Sequence, residues 1–414
     1  MVATPQSSSS ASSGTGVLVD VPPIVSPSRE IPTTFSSSLK SWWATSEEQS
    51  ALSEERLFRR IPFFVSSRPN SLDRCKTLSD TELIATPTSP SPRSFGVTAT
   101  VAPATVMLPG YGAGIGFFFH NFEPLSKWRT PQLPSIKYNK DDVQSRVAQA
   151  ESFFIESLEE WRQTMGIEKM NLIGHSLGGY LSTAYALRYP QRVSRLILLS
   201  SAGVPHDSYS LAVEQELSET TPEGADTGRN TDPARTPSKH EVDARHQSKW
   251  RQNPTTLTRF ALWAWEQGWS PFTIVRRMAF WGPMVVGKYS SRRFGHLGDD
   301  EVRDVHDYIW HITVARGSGE YCVSHLLAPG AHARLPLVDR VHDLKIPVSF
   351  IYGDQDWMDP WGGRQAVENM KKAGNPDGRL HIIPGAGHHL YLDNPEATNK
   401  LILKELERKP TMNH

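Results

Sequence analysis

Short apolar runs and longer segments with helical spacing alternate along the chain. Mainly apolar runs at 105–107, 169–173, 195–199, 347–352 and 380–383 read as buried strands. Segments at 61–65 and near 94–101 read as earlier strands. Between these runs, apolar residues occupy one face only. Val143, Val147, Phe154, Leu158, Trp161 and Met165 recur at steps of mostly three, four or seven, which predicts a long helix over 141–166. Residues 177–189, 362–373 and 395–408 predict three more helices. Residues 39–58 predict another, with Ser46 ahead of Glu47 and Glu48 as one start signal and Ser50 as a second. Buried strands alternating with helices imply an α/β fold with a mainly parallel sheet.

Some regions break this alternation. Residues 1–38 are rich in Ser, Pro and Thr and poor in large apolar side chains, so a disordered N-terminus is expected. Residues 39–203 then form the first part of the core, 204–344 a cap, and 345–410 the second part of the core. Within the cap, 214–252 is polar and carries Pro, Gly and mixed charges, the pattern of a mobile insertion. Residues 257–289 are the opposite, with Trp263, Trp265, Trp269 and Trp281 interleaved with Arg276, Arg277 and Lys288. Aromatics beside cations suit a groove for acyl chains, or a surface that dips into a lipid interface. Aromatics that merely pack the cap onto the sheet would give the same pattern.

Composition narrows the function. Lys plus Arg and Asp plus Glu number 44 each in 414 residues, so no bulk charge points to nucleic acid. Two cysteines, Cys75 and Cys322, exclude a disulfide scaffold and a cysteine zinc cluster, and fit a reducing compartment. No histidine spacing suggests a metal, and His306, His311, His325 and His332 read as structural. No cofactor is expected. Residues 101–119 have the length of a membrane span but carry two prolines and four glycines, so a strand followed by a glycine loop is expected instead. The N-terminus lacks the apolar core of a secretory signal. It is serine-rich and acid-poor like a mitochondrial presequence, yet Arg29 is its one arginine. The expected location is intracellular and peripheral to membranes: mitochondrion, lipid droplet or cytoplasm.

The chemistry is signalled by Gly174-His175-Ser176-Leu177-Gly178, a G-x-S-x-G pentapeptide. Composition alone would produce one in about one chain of this length in seven. Its context carries more weight: a predicted strand runs into it and a predicted helix leaves it, so Ser176 falls on a strand-to-helix elbow that exposes its hydroxyl. A serine hydroxyl needs a base, and the base an orienting acid. In chain order the acid should follow the penultimate strand and the base the last one. Asp356 takes the first place, with Asp359 on the same loop as the competing acid. His388 takes the second, with His389 as its neighbour and competitor. The oxyanion donors expected are the backbone N–H of Leu177 and one from Tyr111 or Gly112. His388 and Asp393 also form an H-x4-D pair that can support acyl transfer to an alcohol; a helix cap ahead of Pro395 explains Asp393 or Asn394 equally well.

The segments 108–116 (LPGYGAGIG), 154–162 (FIESLEEWR), 174–180 (GHSLGGY), 281–283 (WGP), 308–320 and 387–393 (GHHLYLD) together resemble one branch of the α/β-hydrolase superfamily. That branch includes cardiolipin-specific deacylases, lysophospholipase/N-acyl-phospholipid lipases and the comparative-gene-identification lipase coactivator. The resemblance spans about residues 40–410, except 214–252. It implies an α/β-hydrolase sheet with helices on both faces and a helical cap. It places family roles on Ser176, His388 and Asp393, and on Asp356 or Asp359. The coactivator has asparagine where this chain has Ser176, which favours an active enzyme here. The implied activity is lipid ester hydrolysis, on a phospholipid or lysophospholipid, including cardiolipin-type substrates. The alternatives are lysophosphatidic acid acylation from acyl-CoA and an inactive lipid-binding regulator. One departure stands out. Where the family has a strand and a D-x-x-G-x-G-x-S loop, residues 130–139 carry two prolines and no apolar run. One central strand is therefore expected to be missing, leaving the strand at 105–107 unpaired on one side.

Overall fold

The structure is a computed structural model that describes residues 27–60, 103–114, 117, 142–206, 255–315, 317 and 319–411. Its centre is a five-stranded sheet, β1 (Ala104–Leu108), β2 (Met170–His175), β3 (Val193–Leu199), β6 (Val348–Gly353) and β7 (Gly378–Ile383), in that spatial order. All four pairings are parallel. A two-stranded ribbon, β4 (Leu327–Ala328) with β5 (His332–Ala333), lies apart from it. Period-two alternation splits the core into two layers. Leu196 and Leu198 of β3 pack with Val348 and Phe350 into one layer, while Ile197, Leu199, Ile351 and Ile383 pack into the other.

The described α-helices of seven residues or more are α1 (Phe35–Trp43), α2 (Glu47–Phe58), α3 (Val143–Thr164), α4 (Leu177–Arg188), α5 (Thr256–Glu266), α6 (Pro271–Arg277), α7 (Gly282–Phe294), α8 (Asp299–Val314), α9 (Pro360–Lys372) and α10 (Pro395–Glu407). Helices α3, α4 and α9 contribute to the first layer; α10 and cap helices α7 and α8 contribute to the second. The predicted stripe on α3 is buried at Val147 and Leu158, but Arg146, Glu159 and Arg162 are buried as well. Their charges are matched: Glu159 accepts from Arg162 and from the Tyr185 hydroxyl, and the Arg162 bond foremost holds its carboxyl down at about 2.

Two boundaries differ from the sequence reading. The predicted helix 39–58 is two helices, broken before Ser46, whose hydroxyl caps α2 by accepting from Gln49 N–H at 3.1 Å. Helix α1 begins inside the segment read as disordered. A reciprocal Thr34–Ser37 capping box starts it, and buried Ser38 donates to the Phe280 carbonyl at 2.6 Å. Leu57 and Phe58 of α2 join the sheet's second layer with Ile173 and Ile197, and both helices make further contacts. They pack on the cap, through the ion pairs Arg56–Asp307 and Arg60–Asp304 and a Trp310 Nε1–H bond to Thr45. Serine-rich composition hides this because the helices are held by tertiary contacts to residues some 240 positions away.

The strands expected at 61–65 and 94–101, the insertion 214–252, Cys75 and the segment 130–139 all lie outside the described residues. Among the described strands, β1 is an edge strand whose Ala104 and Thr105 are exposed. No described helix is long and apolar enough to cross a membrane.

Candidate active site

Ser176 sits between β2 and α4 with φ 52° and ψ −117°, a left-handed conformation that L residues avoid. Two glycines make the turn sterically feasible. A Cβ on Gly174 would run into the Gly178 carbonyl, and one on Gly178 into the carbonyls of Leu108 and Pro109. The elbow is anchored by Ser176 N–H to the Leu199 carbonyl at 3.0 Å and by Ala202 N–H to the Ser176 carbonyl at 3.0 Å.

The ends of β6 and β7 are stapled together. Asp354 N–H bonds the Ile383 carbonyl at 3.0 Å, Gln355 N–H bonds the Ala386 carbonyl at 2.9 Å, and the Asp354 carboxylate accepts from Ala386 N–H at 3.1 Å. This separates the three loop aspartates by task. Asp354 ties the loops. Asp359 caps α9 by accepting from Trp361 N–H at 2.8 Å. Asp356, 3% exposed, places Oδ1 3.1 Å from His388 Nδ1, and His388 Nε2 lies 3.1 Å from Ser176 Oγ. Serine, histidine and one aspartate therefore form a continuous relay, and Asp359 is not part of it.

Two further histidines frame that relay. His175 donates from Nε2 to the His388 carbonyl at 2.9 Å and accepts at Nδ1 from the Tyr391 hydroxyl at 3.3 Å. His389 accepts at Nδ1 from Arg293 at 3.1 Å. Burial, reinforced by neighbouring positive charge, pushes both rings well below the usual histidine range, so both stay neutral. Burial likewise lowers His306 to about 4, where it meets Ser290, and His325 to about 4, where it accepts from Arg146. His311 bonds the Asp307 carbonyl at 2.8 Å. The lone described cysteine, Cys322, is buried, which raises its thiol to about 12.

These histidines imply a pH dependence. Unfolded histidines bind protons below about 6.5, whereas His306 and His325 do so only near 4 when folded. Between those values the unfolded chain takes up more protons, so stability falls as pH falls. Melting temperature is expected to decline from pH 7 to pH 5, ahead of general carboxylate protonation. A flat melting profile over that interval would contradict neutral burial of these rings.

Ser176 and His388 open into a cavity of about 1470 Å³. Tyr111, Gly112 and Leu177 line it beside Ser176. Leu177 opens α4, where first-turn N–H groups lack partners within the helix. The Tyr111 hydroxyl meets Ser270 at 3.0 Å, and its ring packs on Phe272 at 5.0 Å, tying this loop to the cap. Burial pushes the Tyr111 phenol up to about 12, so it stays neutral. Of the four cap tryptophans singled out, Trp265 and Trp269 line the cavity. Trp263 stacks outside its lining with Phe260 and Trp269, and Trp281 packs against Phe35 and Phe280 of the N-terminal side of the cap. Helical spacing could not separate them, since one aromatic-rich segment presents rings to both sides.

Three participants were not anticipated. Trp357 stacks on His388 with centroids 4.9 Å apart. Tyr391 orients His175. Arg293, on α7, binds both carboxylate oxygens of Asp393 at 2.9 Å. Asp393 is thus neither a hydrogen-bond partner of His388 nor the helix cap; Asn394 caps α10 through Ala397 N–H at 3.2 Å. Trp357 and Tyr391 adjoin residues the motifs had marked, but nothing in local spacing points to Arg293. No described group of side chains has the makings of a metal site.

The parallel sheet, the elbow and the ordered loops define an α/β hydrolase. The α/β-hydrolase-fold family matches residues 106–395, and the chain belongs to it. It is 33% identical over 320 residues to a probable 1-acylglycerol-3-phosphate O-acyltransferase of Oryza sativa subsp. japonica, an alignment covering 73% of this chain and 66% of that protein. A 1-acylglycerol-3-phosphate O-acyltransferase of Arabidopsis thaliana is 32% identical over 321 residues, with the chain again spanning 66% of the relative's length. The (lyso)-N-acylphosphatidylethanolamine lipase of Mus musculus is 29% identical over 322 residues, covering 74% of this chain and 81% of that enzyme.

Proposed function

We propose that this chain is a serine-dependent carboxylic ester hydrolase that deacylates phospholipids or lysophospholipids. The observation that carries the reading is the Ser176–His388–Asp356 relay at the wall of a mainly apolar cavity. His388 takes the Ser176 proton as Oγ attacks the ester carbonyl. The oxyanion forms beside the N–H groups of Leu177 and of Tyr111 or Gly112. His388 then protonates the departing alkoxide, and Asp356 keeps Nδ1 protonated and the ring oriented. Water, activated by the same histidine, releases the acid.

The cavity exceeds the usual range of about 300–1,000 Å³ for small-ligand sites, and its Trp265, Trp269, Phe272, Ile274 and Leu327 lining suits an acyl chain. Exposed Trp43, Trp263 and Trp361 support docking at a membrane or lipid-droplet surface. A second reading is supported by the acyltransferase relatives: the acyl-enzyme, charged from acyl-CoA, passes its acyl group to a lysophosphatidate hydroxyl instead of water.

Mass spectrometry of lipid extracts incubated with the wild type and with Ser176→Ala separates these outcomes. Loss of phospholipid or lysophospholipid with release of free fatty acid, absent from the variant, is the expected result. Serine-dependent gain of diacyl phosphatidate on adding acyl-CoA and lysophosphatidate would favour transfer. No serine-dependent change in any lipid would refute both.

A further inference from the structure

Asp393 of the H-x4-D pair is not part of the relay, and its geometry assigns it another task. His388 stands on a loop, Pro384-Gly385-Ala386-Gly387, with little stiffness of its own; Gly385 has φ +66°. External bonds hold this loop. One is Gly387 N–H to Asp393 Oδ2 at 2.9 Å, immediately before the base. Asp393 is fixed in turn by Arg293: Nη1 donates to Oδ1 and Nη2 to Oδ2, both at 2.9 Å. His296 Nε2 is 3.4 Å from Oδ1. Arg293 Nη2 also donates to His389, the residue after the base. Both Arg293 and Asp393 are mostly buried, where an ion pair is screened less than at the surface. Approach is tight enough that a Cβ on Gly387 would sit 3.2 Å from Asp393 Oδ2.

We propose that Arg293 and Asp393 form a clamp between the cap and the core that sets the position of His388, and that both are positioning residues. The inference rests on the serine-hydrolase reading above. Asp393 already accepts hydrogen bonds from Arg293 on both oxygens, which makes it a poor candidate for taking a proton from an acceptor alcohol. The clamp also makes the cap part of the catalytic geometry, because Arg293 belongs to α7 and reaches both residues flanking the base, His389 directly and Gly387 through Asp393.

The test uses the full chain with p-nitrophenyl butyrate turnover, and a fluorophosphonate to titrate reactive serine. The variants are Arg293→Gln, Asp393→Asn and the charge reversal Arg293→Asp with Asp393→Arg. Displacing a base by about 1 Å costs on the order of 10²-fold, so each single variant is expected to lose about that much kcat per titrated site, with KM within about threefold. The reversal restores an ion pair but neither the acceptor for Gly387 N–H nor the donor to His389, so it is expected to stay as impaired as the single variants. Wild-type kcat in both single variants would overturn the clamp. So would a lower titrated fraction with unchanged kcat per site, which marks a purely structural role. Loss of acyl transfer to an added alcohol in Asp393→Asn, with hydrolysis intact, would overturn it in favour of direct action on the acceptor. Labelling that survives Ser176→Ala would instead remove the serine reading itself.

Discussion

Ser176→Ala is expected to abolish phosphonate labelling and to lower ester turnover by on the order of 10⁴–10⁶-fold. The expectation follows from geometry that gives this one hydroxyl its base. Its Oγ lies 3.1 Å from His388 Nε2, and the elbow holds it on a strained φ of 52° that the flanking glycines permit. Removing Oγ leaves the backbone anchors to Leu199 and Ala202 in place. Melting temperature should therefore move little, and the loss should fall on the chemical step. Residual binding of a lipid ester with no turnover is the signature of such a variant. Undiminished turnover or labelling would exclude Ser176 as the nucleophile.

Asp356→Asn and Asp359→Asn are expected to separate the two acid candidates sharply. An asparagine at 356 can donate to His388 Nδ1 and so favour the tautomer protonated at Nε2, which cannot take the Ser176 proton; the loss of kcat should be about 10⁴-fold. Asparagine at 359 can still cap α9, so activity and stability should stay near wild type. Asp359→Ala should cost about 1 kcal/mol of stability through the lost cap, without changing kcat. Thermal melts alongside steady-state rates check both effects. A large kcat loss at 359 with none at 356 would reverse the assignment.

Much of the fold could be read along the chain because its signals are local. The runs at 195–199 and 347–352 are apolar but for Arg195 and Ser349, as strands covered on both faces tend to be, and β3 and β6 occupy them. Helix α3 was legible from its stripe, yet not its buried Arg146, Glu159 and Arg162. A charge is buried only when its partner arrives, and Arg146 meets the Glu266 carboxylate at 3.5 Å from 120 positions away. The start of helix α1 was missed for the same reason: its serines look like a solvated tail until Ser38 meets the Phe280 carbonyl. The tryptophans of the cap were legible as a group but not as individuals, because Trp265 and Trp269 face the cavity while Trp263 and Trp281 pack elsewhere.

Local spacing alone determined the alternation of strands and helices, the elbow at Ser176 with glycines on either side, and the order of serine, acid and histidine candidates. Each of these depends on residues within a few positions of one another. Tertiary structure alone decided which aspartate reaches His388, which tryptophans wall the cavity, and which groups Asp393 binds. Those outcomes depend on elements brought together across the chain: His388 meets Ser176 across 212 positions, and Arg293 meets Asp393 across 100. Linear spacing carries no record of which distant charge will fill a given buried place; close packing and the cost of an unpaired buried charge select it.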